Sequence, residues 1–379
     1  DLNWQNPVLR EEIYKMINWW LDKGIAGFRI DAIINIKKDL EWRSLPSDRD
    51  NGLVPVPESL VNAQPIEPFL RELKERTFAK YNAFTVGEVF NETDEELHFF
   101  IGKDGVFSSI FDFKQTMLGQ EGKGWFDHAL PTADELKESI FQAHERADSI
   151  GVLSTIIENH DEPRGVSHYI AEGPVNDTSK KALGTIQVLR KGIPFIYQGQ
   201  EIGMENQVFE SVEDFDDIAT INGYHVAKEA GLSEEEALAA IAKYSRDNAR
   251  TPMQWSAEPG LGFSDGSAWL ISPKPDVAIN VEDQEKDPNS ILNYYRQLTA
   301  LYRHPLYGNT IRFGDMIPAY RDCENIIAFE RRGDKRLLVI SNFQNRQATL
   351  ELPAPIKIVV LNNTAGLFHE GDQVLELTP

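Results

Sequence analysis

Acidic side chains follow three apolar stretches of this sequence, at points where buried strands would end. Asp31 lies in "GFRIDAI", Glu88 in "AFTVGEV" and Asp161 in "VLSTIIENHD". Arg29 stands two residues before Asp31, so the two side chains would point to the same face of a strand. Charged residues are costly inside a buried strand, and carboxylates gathered in one place repel one another. A group of this kind is a poor structural motif and indicates a chemical role.

The pattern fits the cleavage of a glycosidic bond, which needs two carboxyl groups with different pKa values. One group protonates the leaving oxygen, and the other attacks or stabilises the oxocarbenium-like carbon. Arg29 near Asp31 favours the ionised carboxylate that a nucleophile requires. Glu88 has no cation in its own apolar stretch, and such surroundings raise the pKa of a carboxyl group, as an acid requires. His160, next to Asp161, offers a hydrogen-bond donor for a sugar hydroxyl.

Each residue also has a structural explanation when it is taken alone. An Arg–Asp pair near a strand end is more often a structural ion pair, and a single Glu there usually neighbours the start of a helix. The stretch "ENHDEPR" alone is compatible with a polar loop. The combination of three strand-end acids with an Arg and a His reverses these odds and favours a catalytic site.

The elements that must hold these residues alternate between strands and helices over the first two-thirds of the chain. Such an alternation predicts βαβ units and a parallel sheet. Asn6 and Pro7 are typical of a helix start, and Gly24 is typical of a helix end. The predicted strands span about 27–33, 83–89, 106–113, 152–161 and 193–201, and the predicted helices span about 6–24, 63–80, 133–149 and 179–191.

The polar clusters all lie at the carboxyl ends of the predicted strands. A (β/α)8 barrel carries its active site at that end, and a doubly wound sheet also binds ligands there, so the periodicity does not separate these two folds. About five strands are visible before the alternation stops, whereas a closed barrel needs eight. We therefore expect either an open sheet or further strand–helix units upstream of Asp1.

The pattern changes twice in the remainder of the chain. Residues from about 202 to 288 read as a long acidic insertion of helices and loops, followed by the amphipathic helix "SILNYYRQLTALYR". Apolar and polar residues then alternate in "IIAFERR", "RLLVISNF", "ATLEL" and "IKIVVLN". This period of two predicts a small C-terminal antiparallel β-sandwich domain at 306–379.

Composition limits the partners and the compartment. The formal net charge of −22 disfavours nucleic acid and anionic membranes, because like charges repel. No apolar run of about 18 residues is present, and the first residues do not read as a signal peptide. Cys323 is the single cysteine, so the sequence offers neither an intrachain disulfide nor a cysteine cluster for zinc. We expect a cytoplasmic protein.

Several motifs resemble a known family. "GFRIDAI", "TVGEV" and "ENHDEPR" are similar to three conserved regions of the α-amylase-type glycoside hydrolases (family 13), and "DLNW" at the start is similar to the tail of a fourth. "RDNARTPMQW", at 246–255, resembles the oligo-1,6-glucosidase and α-glucosidase subgroup. The resemblance covers essentially the whole chain. It implies a (β/α)8 TIM barrel whose C-terminal part is residues 1–305 and whose first strands are missing from this chain.

The resemblance implies a role for each of the three acids. Asp31 would be the nucleophile that forms a covalent β-glucosyl-enzyme. Glu88 would be the general acid and then the general base. Asp161 would be a third acid that holds ring hydroxyls and helps to distort the sugar. A nucleophile–acid pair of this kind retains the anomeric configuration.

Three further residues are implied to bind substrate. Arg29 would orient Asp31, and His160 would bond the glucose in the innermost sugar subsite. Arg250 would contact the substrate and close one end of the pocket. The chemistry requires no cofactor and no metal at these residues.

The resemblance also implies parts that this chain does not contain. Family members carry an earlier region with an Asp and a His that approach the same sugar, and often a calcium-type loop near the N-terminus. We expect the missing N-terminal part of the same protein, or a second chain, to supply that region. A structural calcium would belong to that missing part.

The expected activity is that of a retaining, exo-acting α-glucosidase that cleaves α-1,4 or α-1,6 bonds of short α-gluco-oligosaccharides at the non-reducing end. In the subgroup, the residue after the nucleophile faces the next sugar, and the small Ala32 here favours α-1,4 or mixed preference. A transglucosylase, a sucrose isomerase and a trehalose-6-phosphate hydrolase on the same scaffold are alternatives. A catalytically inactive scaffold of the same fold is another, although all three acids are present.

Overall fold

A computed structural model gives the structure of the chain and describes residues 2–41, 43–47, 52, 54, 63, 65–90, 92–120, 122, 124–170, 174–270, 279–343, 345–364 and 368–378. The chain divides into two compact units. The first comprises Asp1–Asp112 and Glu145–Ser154, and the second comprises Phe113–His144 and Thr155–Pro379. The predicted domains at 1–305 and 306–379, with an insertion at about 202–288, stay predictions.

Up to Pro194 the described strands are separated by helices, as the sequence predicts, and a run of helices and then a run of strands follow. The helices are α1 (Pro7–Asp22), α2 (Glu67–Arg76), α3 (Phe78–Tyr81), α4 (Asp94–Ile101), α5 (Ala133–Ala147), α6 (Gly165–Tyr169), α7 (Asp177–Leu189), α8 (Ile218–Glu229), α9 (Glu234–Tyr244), α10 (Asp247–Arg250), α11 (Val281–Lys286), α12 (Ile291–Leu301) and α13 (Gly308–Phe313). The strands are β1 (Gly27–Ile30), β2 (Phe84–Gly87), β3 (Ser109–Ile110), β4 (Ser154–Thr155), β5 (Ile193–Pro194), β6 (Asp315–Ala319), β7 (Ile326–Arg332), β8 (Arg336–Asn342), β9 (Ala348–Glu351) and β10 (Val374–Leu377).

The first helix begins where its capping residues predict. The Asn6 side chain accepts a hydrogen bond from the backbone N–H of Val8, and Pro7 occupies the first helical position. Both features satisfy or avoid the free N–H groups of a helix start. The helix ends before Gly24, whose φ of +93° lies in the left-handed region.

The first unit is built on a parallel sheet in the order β1–β2–β3. The pairing of β1 with β2 runs from Gly27 opposite Phe84 to Ile30 opposite Gly87, which confirms the predicted parallel arrangement. Helices α1 and α2 contribute apolar side chains to the core of this unit. That core includes Tyr14, Ile17, Leu21, Leu70, Leu73, Phe107 and Ile110.

The strands are shorter than the apolar stretches that predict them. The stretch 152–161, for example, contains only β4, at Ser154–Thr155. The next carbonyl, that of Ile156, accepts hydrogen bonds from the side chains of Gln115 and Arg190 instead of from a neighbouring strand. Apolar residues therefore continue beyond the ladder, because burial requires an apolar side chain but does not require strand pairing.

The helix boundaries also differ in places from those predicted. The region 63–80 contains two helices, α2 and α3, which are separated at Thr77. Thr77 has φ −129° and ψ −86°, which is not helical geometry. Helices α5 and α7 lie within two residues of their predicted bounds.

The second unit packs helices against one face of an antiparallel sheet. Leu183 and Ile186 of α7 and Leu298 of α12 join Ile327 and Phe329 of β7 in one buried cluster. The opposite face of β7 packs on the antiparallel pair β9–β10, in a second cluster that includes Ile326, Ala328, Leu350, Leu375 and Leu377. A strand that is buried on both faces reads as a continuous apolar run, as "IIAF" does.

The C-terminal strands confirm the antiparallel prediction, with one correction. Strands β6, β7 and β8 form an antiparallel sheet, but the stretch at 356–362 predicted as a strand is not one. There, Ile356 exchanges backbone hydrogen bonds with Gly371 and Asp372, and Ile358 is exposed. The stretch 356–362 was predicted from its apolar character, which alone does not supply the hydrogen-bonded neighbour that a strand needs. The alternation of apolar and polar residues did not predict β6 and β10.

A membrane-spanning helix is not found in the described part of the chain, where every helix is too short or too polar to cross a bilayer.

Gly87 provides a test of how tightly the end of β2 is packed. A Cβ at this position would lie 2.5 Å from the Phe107 ring. We expect Gly87→Ala to lower the free energy of unfolding by about 1–3 kcal/mol, because the ring must shift. Denaturant unfolding measures the change. In Gly266→Ala the new Cβ would meet Ser264 Oγ only at 3.5 Å, so this control should change stability by less than about 0.5 kcal/mol. Equal effects of the two substitutions would contradict the expectation.

Candidate active site

Two acids follow neighbouring strands in the first unit. Ile30 and Gly87 are the last paired residues of β1 and β2, and the backbone N–H of Glu88 donates to the carbonyl of Ile30 at 2.9 Å. Asp31 and Glu88 are therefore the first residues beyond the two strands. The parallel register brings them to the same edge of the sheet, as the sequence predicts.

Arg29 contacts both acids. Its Nη1 donates to Asp31 Oδ1, and its Nη2 lies 2.8 Å from Glu88 Oε1. Because one guanidinium reaches both groups, the contacting carboxylate oxygens are less than roughly 8 Å apart. The sequence predicts the contact with Asp31 but not the one with Glu88, because the pairing of β1 with β2 is not visible in either stretch alone.

The backbone N–H of the residue after Asp31 also contacts Glu88. Ala32 has φ 41° and ψ 36°, a left-handed conformation that is uncommon for a residue with a side chain. In this conformation its N–H donates to Glu88 Oε2 at 2.6 Å, and a short 3-10 helix, Ile33–Ile36, follows at once. Strained backbone of this kind occurs where a structure holds a functional group in place.

The two acids lie in different surroundings. Glu88 is buried, whereas the Asp31 side chain is 70% exposed. Burial raises the pKa of Glu88, and the Asp31 carboxylate raises it further. The Ala32 N–H and the Arg29 guanidinium act in the opposite direction, but the pKa of Glu88 stays above its ordinary value.

A second group of site residues lies in the second unit. Arg250 Nη2 lies 3.0 Å from Asp161 Oδ1, and Arg250 Nε donates to the carbonyl oxygen of His160 at 2.9 Å. His160 Nε2 lies 3.0 Å from Asp161 Oδ2. The three residues predicted from "ENHDEPR" and "NARTPMQW" are thus brought together, although Arg250 is 89 residues from Asp161 along the chain.

Arg246 is a further contact of this group that the sequence reading missed. Its Nη1 lies 3.0 Å from Asp161 Oδ1, the oxygen that Arg250 also contacts. It opens the motif "RDNARTPMQW", so the signal was present. Arg250 is four positions after Arg246, about one helical turn. Arg246 is the N-cap residue of the short helix α10, and Arg250 is its last residue.

Comparison with known proteins decides the family. The model of the α-amylase catalytic domain matches residues 1–306. The chain belongs to the α-amylase family. The match confirms the family that the motifs resemble. It also confirms the TIM-barrel fold of the catalytic part, a fold that the strands among the described residues do not establish by themselves.

Named relatives of this family member differ in activity. A probable oligo-1,6-glucosidase of Bacillus subtilis is 40% identical over 79% of the chain, and a trehalose-6-phosphate hydrolase of the same species is 32% identical over 100% of it. Among solved structures, the isomaltulose synthase of Klebsiella sp. LX3 covers 100% of the chain with a TM-score of 0.91 and 28% identity.

The chain spans only part of these relatives. It covers 54% of the oligo-1,6-glucosidase, 67% of the trehalose-6-phosphate hydrolase and 68% of the isomaltulose synthase. The activity and partners of the whole family member are therefore taken up as proposals.

A buried ion pair joins the two ends of the loop that carries Asp161. Glu158 and Arg164 are both about 1% exposed, and Arg164 Nη1 lies 3.1 Å from Glu158 Oε1. Arg164 also donates to the carbonyl oxygen of Gln198 at 2.8 Å, and the Gly165 N–H bonds the Glu158 carboxylate. The two ends of "ENHDEPR" are thus tied together, which fixes the loop between them.

The site residues form two groups in this family member. Arg29, Asp31 and Glu88 meet in the first unit, and His160, Asp161 and Arg250 meet in the second. The prediction that all three acids converge on one sugar stays a prediction, as do their roles. No group of three metal-ligating side chains occurs among the described residues, and the predicted calcium concerned a segment outside this chain.

The effect of each charged neighbour on the pKa of Glu88 can be tested by substitution. We expect Asp31→Asn to lower the pKa of Glu88, because it removes a negative neighbour. We expect Arg29→Gln to raise it, because it removes a positive one. Carbon-13 NMR titration of labelled glutamate carboxyls measures the pKa, with Glu88→Gln assigning the signal. Asp104→Asn, an exposed change in the same unit, is the control. Shifts of equal sign for both substitutions would contradict the bridging arrangement.

Glu162, beside Asp161, gives a pH test. Burial raises its pKa to about 7, with a smaller contribution from Asp161, while a hydrogen bond with Thr116 opposes the rise. Between pH 4.5 and 7 the folded state then holds a proton that the unfolded state has lost, so stability falls as pH rises through this window.

Glu162→Gln should remove that fall. At pH 8 we expect the variant to be more stable than the parent by about 1–3 kcal/mol, because the parent must then hold an ionised carboxylate in surroundings that are poorly hydrated. Denaturant unfolding from pH 4 to 8 provides the measurement. Glu258→Gln, at an exposed position, should leave the pH dependence as it is. A parallel shift of the Glu162→Gln curve at all pH values would count against the raised pKa.

Proposed function

We propose that the protein to which this chain belongs is a retaining, exo-acting α-glucosidase. It would release glucose from the non-reducing end of short α-gluco-oligosaccharides that contain α-1,4 or α-1,6 bonds. The observation that carries the proposal is the single Arg29 guanidinium that contacts both Asp31 and Glu88. The two-carboxylate mechanism requires two acids at close range in unlike surroundings, and this pair has both properties.

The first step forms a bond between an Asp31 carboxylate oxygen and the anomeric carbon. The bond from that carbon to the glycosidic oxygen breaks, and the leaving oxygen takes the proton of Glu88. Glu88 suits this task because its pKa is raised and it therefore keeps a proton to higher pH. The exposure of Asp31 leaves its second oxygen open to a substrate.

The second step reverses the roles. A water molecule gives its proton to Glu88, and its oxygen attacks the anomeric carbon while the ester bond to Asp31 breaks. Two inversions at the same carbon give net retention. In this proposal Asp161, with His160 and Arg250, holds the hydroxyls of the glucose. Arg29 holds the carboxyl groups of Asp31 and Glu88 in place. No cofactor takes part in either step.

Two relatives give weight to a second set of activities. The trehalose-6-phosphate hydrolase and the isomaltulose synthase are named for other reactions of glucosides. The two steps above serve those reactions as well if a different sugar receives or leaves the glucosyl group. Product analysis with maltose, isomaltose, sucrose and trehalose 6-phosphate separates them. Glucose released from maltose or isomaltose supports the α-glucosidase, whereas isomerised sucrose or selective cleavage of trehalose 6-phosphate overturns it in favour of the named alternative.

The role of Asp31 can be tested on the protein as its gene encodes it. We expect Asp31→Ala to reduce kcat on an aryl α-glucoside by at least about 1,000-fold, because no covalent intermediate forms. Added azide should restore part of the turnover and yield the β-glucosyl azide, since it attacks from the face that the carboxylate has left. Asp104→Asn serves as the control and should keep the parent rate. Unchanged turnover of Asp31→Ala would remove Asp31 from the mechanism, whereas no turnover by the parent would favour the inactive-scaffold alternative.

A further inference from the structure

A large cavity lies in the second unit, apart from the candidate active site. Its volume is about 840 Å³, which is within the size range of pockets that hold small molecules. Its wall is formed by α7, α12, α13, β8 and residues 352–364. None of the six predicted site residues is among the described residues that line it. A ligand bound here would therefore be separate from the sugar of the proposed function.

One side of the cavity is a stripe along α7. Its positions recur every three or four residues, so they share one face of the helix. The stripe consists of Thr178, Ser179, Ala182, Thr185 and Leu189. At 1.5 Å of rise per residue it is about 16 Å long. The cavity is therefore elongated along the helix and suits an extended ligand.

The facing side belongs to β8 and ends at a charged residue of β7. Leu337 and Val339 line the cavity, and both join the buried cluster to which α7 contributes. Leu337 pairs with Arg331 of β7, and paired residues have side chains on the same face of a sheet. Arg331 Nη1 donates to the carbonyl oxygen of Leu189 at 2.8 Å. The apolar wall thus meets a guanidinium at the end of the stripe that Leu189 occupies.

Arg331 is buried without a carboxylate in contact. Its side chain is among the largest that are fully buried, and Nη1 and Nη2 donate to the carbonyl oxygens of Leu189 and Gly314, each at 2.8 Å. Its Nε has no hydrogen-bond partner among the described residues. Burial lowers the pKa of Arg331, an effect that Tyr302 and Asp315 only partly oppose. A buried cation of this kind is costly, and an anion in the cavity would offset that cost.

The other charges of the wall also favour an anion. Lys335 and Lys357 are exposed and form no ion pair within the described part of the chain. Glu330 is paired with two arginines, so Asp334 is the one further acid among the described lining residues. Three cations therefore stand against one carboxylate, in a chain whose formal net charge is −22. This local excess is opposite in sign to the charge of the whole chain.

Apolar side chains of the wall also reach the surface. Leu306 is 55% exposed and Ile358 is 63% exposed, and both line the cavity. Grouped apolar side chains that remain exposed are typical of binding sites. They give an apolar chain a path into the cavity that does not cross a polar surface.

We propose that this cavity binds a single-chain amphiphile with an anionic head, such as a fatty acid. The head would lie near Arg331 and Lys335, where its carboxylate accepts hydrogen bonds from cationic donors. The tail would lie between α7 and the side chains of Leu337 and Val339, and extend toward Thr178. This site goes beyond the proposed function and does not depend on it.

The first experiment separates the head from the tail by isothermal titration calorimetry on the protein as its gene encodes it. The ligands are decanoate below its micelle concentration, 1-decanol, which has the chain without the charge, and acetate, which has the charge without the chain. We expect decanoate to bind with one molecule per chain and at least about tenfold more tightly than either of the others. The carboxylate adds charge-assisted hydrogen bonds, and the chain adds buried apolar area.

The second experiment locates the site with substitutions. Ala182→Leu places a larger side chain at the middle of the α7 stripe and should weaken decanoate binding by at least about tenfold, because the tail loses its space. Lys335→Gln combined with Lys357→Gln should weaken it by roughly 3- to 10-fold, as expected for two exposed charges. Lys286→Gln, an exposed change in the same unit outside the cavity, is the matched control and should keep the parent affinity.

Three results would overturn the inference: no binding of decanoate, equal affinity for decanoate and 1-decanol, or decanoate binding that Ala182→Leu leaves unchanged. Thermal unfolding shows whether each variant is folded. Should Ala182→Leu fail to fold, the two exposed lysine substitutions decide, and parent affinity in that double variant would count against the site. Binding is measured without a sugar, so either outcome leaves the proposed function as it stands.

Discussion

The group of site residues in the first unit depends on one ion bridge at the end of a parallel strand pair. Arg29 lies on β1 and contacts Asp31 beyond its own strand and Glu88 beyond the next. Like charges at this range would separate the two strand ends, and the guanidinium offsets that repulsion. The bridge requires the register in which Ile30 faces Gly87, because a shift of one residue would turn Arg29 to the other face.

The same bridge does not make the two acids alike. Glu88 is buried and receives the N–H of Ala32, whose left-handed backbone is the local cost of this arrangement. Asp31 stays open to solvent. The asymmetry arises from burial rather than from residue type, and it is the physical basis for assigning the acid role to Glu88 and the nucleophile role to Asp31 in the proposed mechanism.

In the second unit, the carboxylate of Asp161 is held in place in a different way. Asp161 lies in a loop rather than at a strand end, so backbone pairing does not hold it. The loop is tied at its base by the buried pair of Glu158 and Arg164, and the carboxylate is held by arginines from a segment about 90 residues further along the chain. Long-range ion pairs here supply the order that the sheet supplies in the first unit.

The sequence by itself determined the alternation of strands and helices, the helix caps and the identity of the candidate residues. These are local properties: a run of apolar side chains, a capping Asn before a Pro, or a charged residue directly after a buried stretch. The tertiary structure decided what depends on partners. The length of each strand depended on its hydrogen-bonded neighbours, and residues 356–362 formed no strand despite their apolar character. Likewise the second contact of Arg29 and the contacts of Arg246 and Arg250 with Asp161 arise only when segments distant in sequence meet, and no local pattern encodes such a meeting.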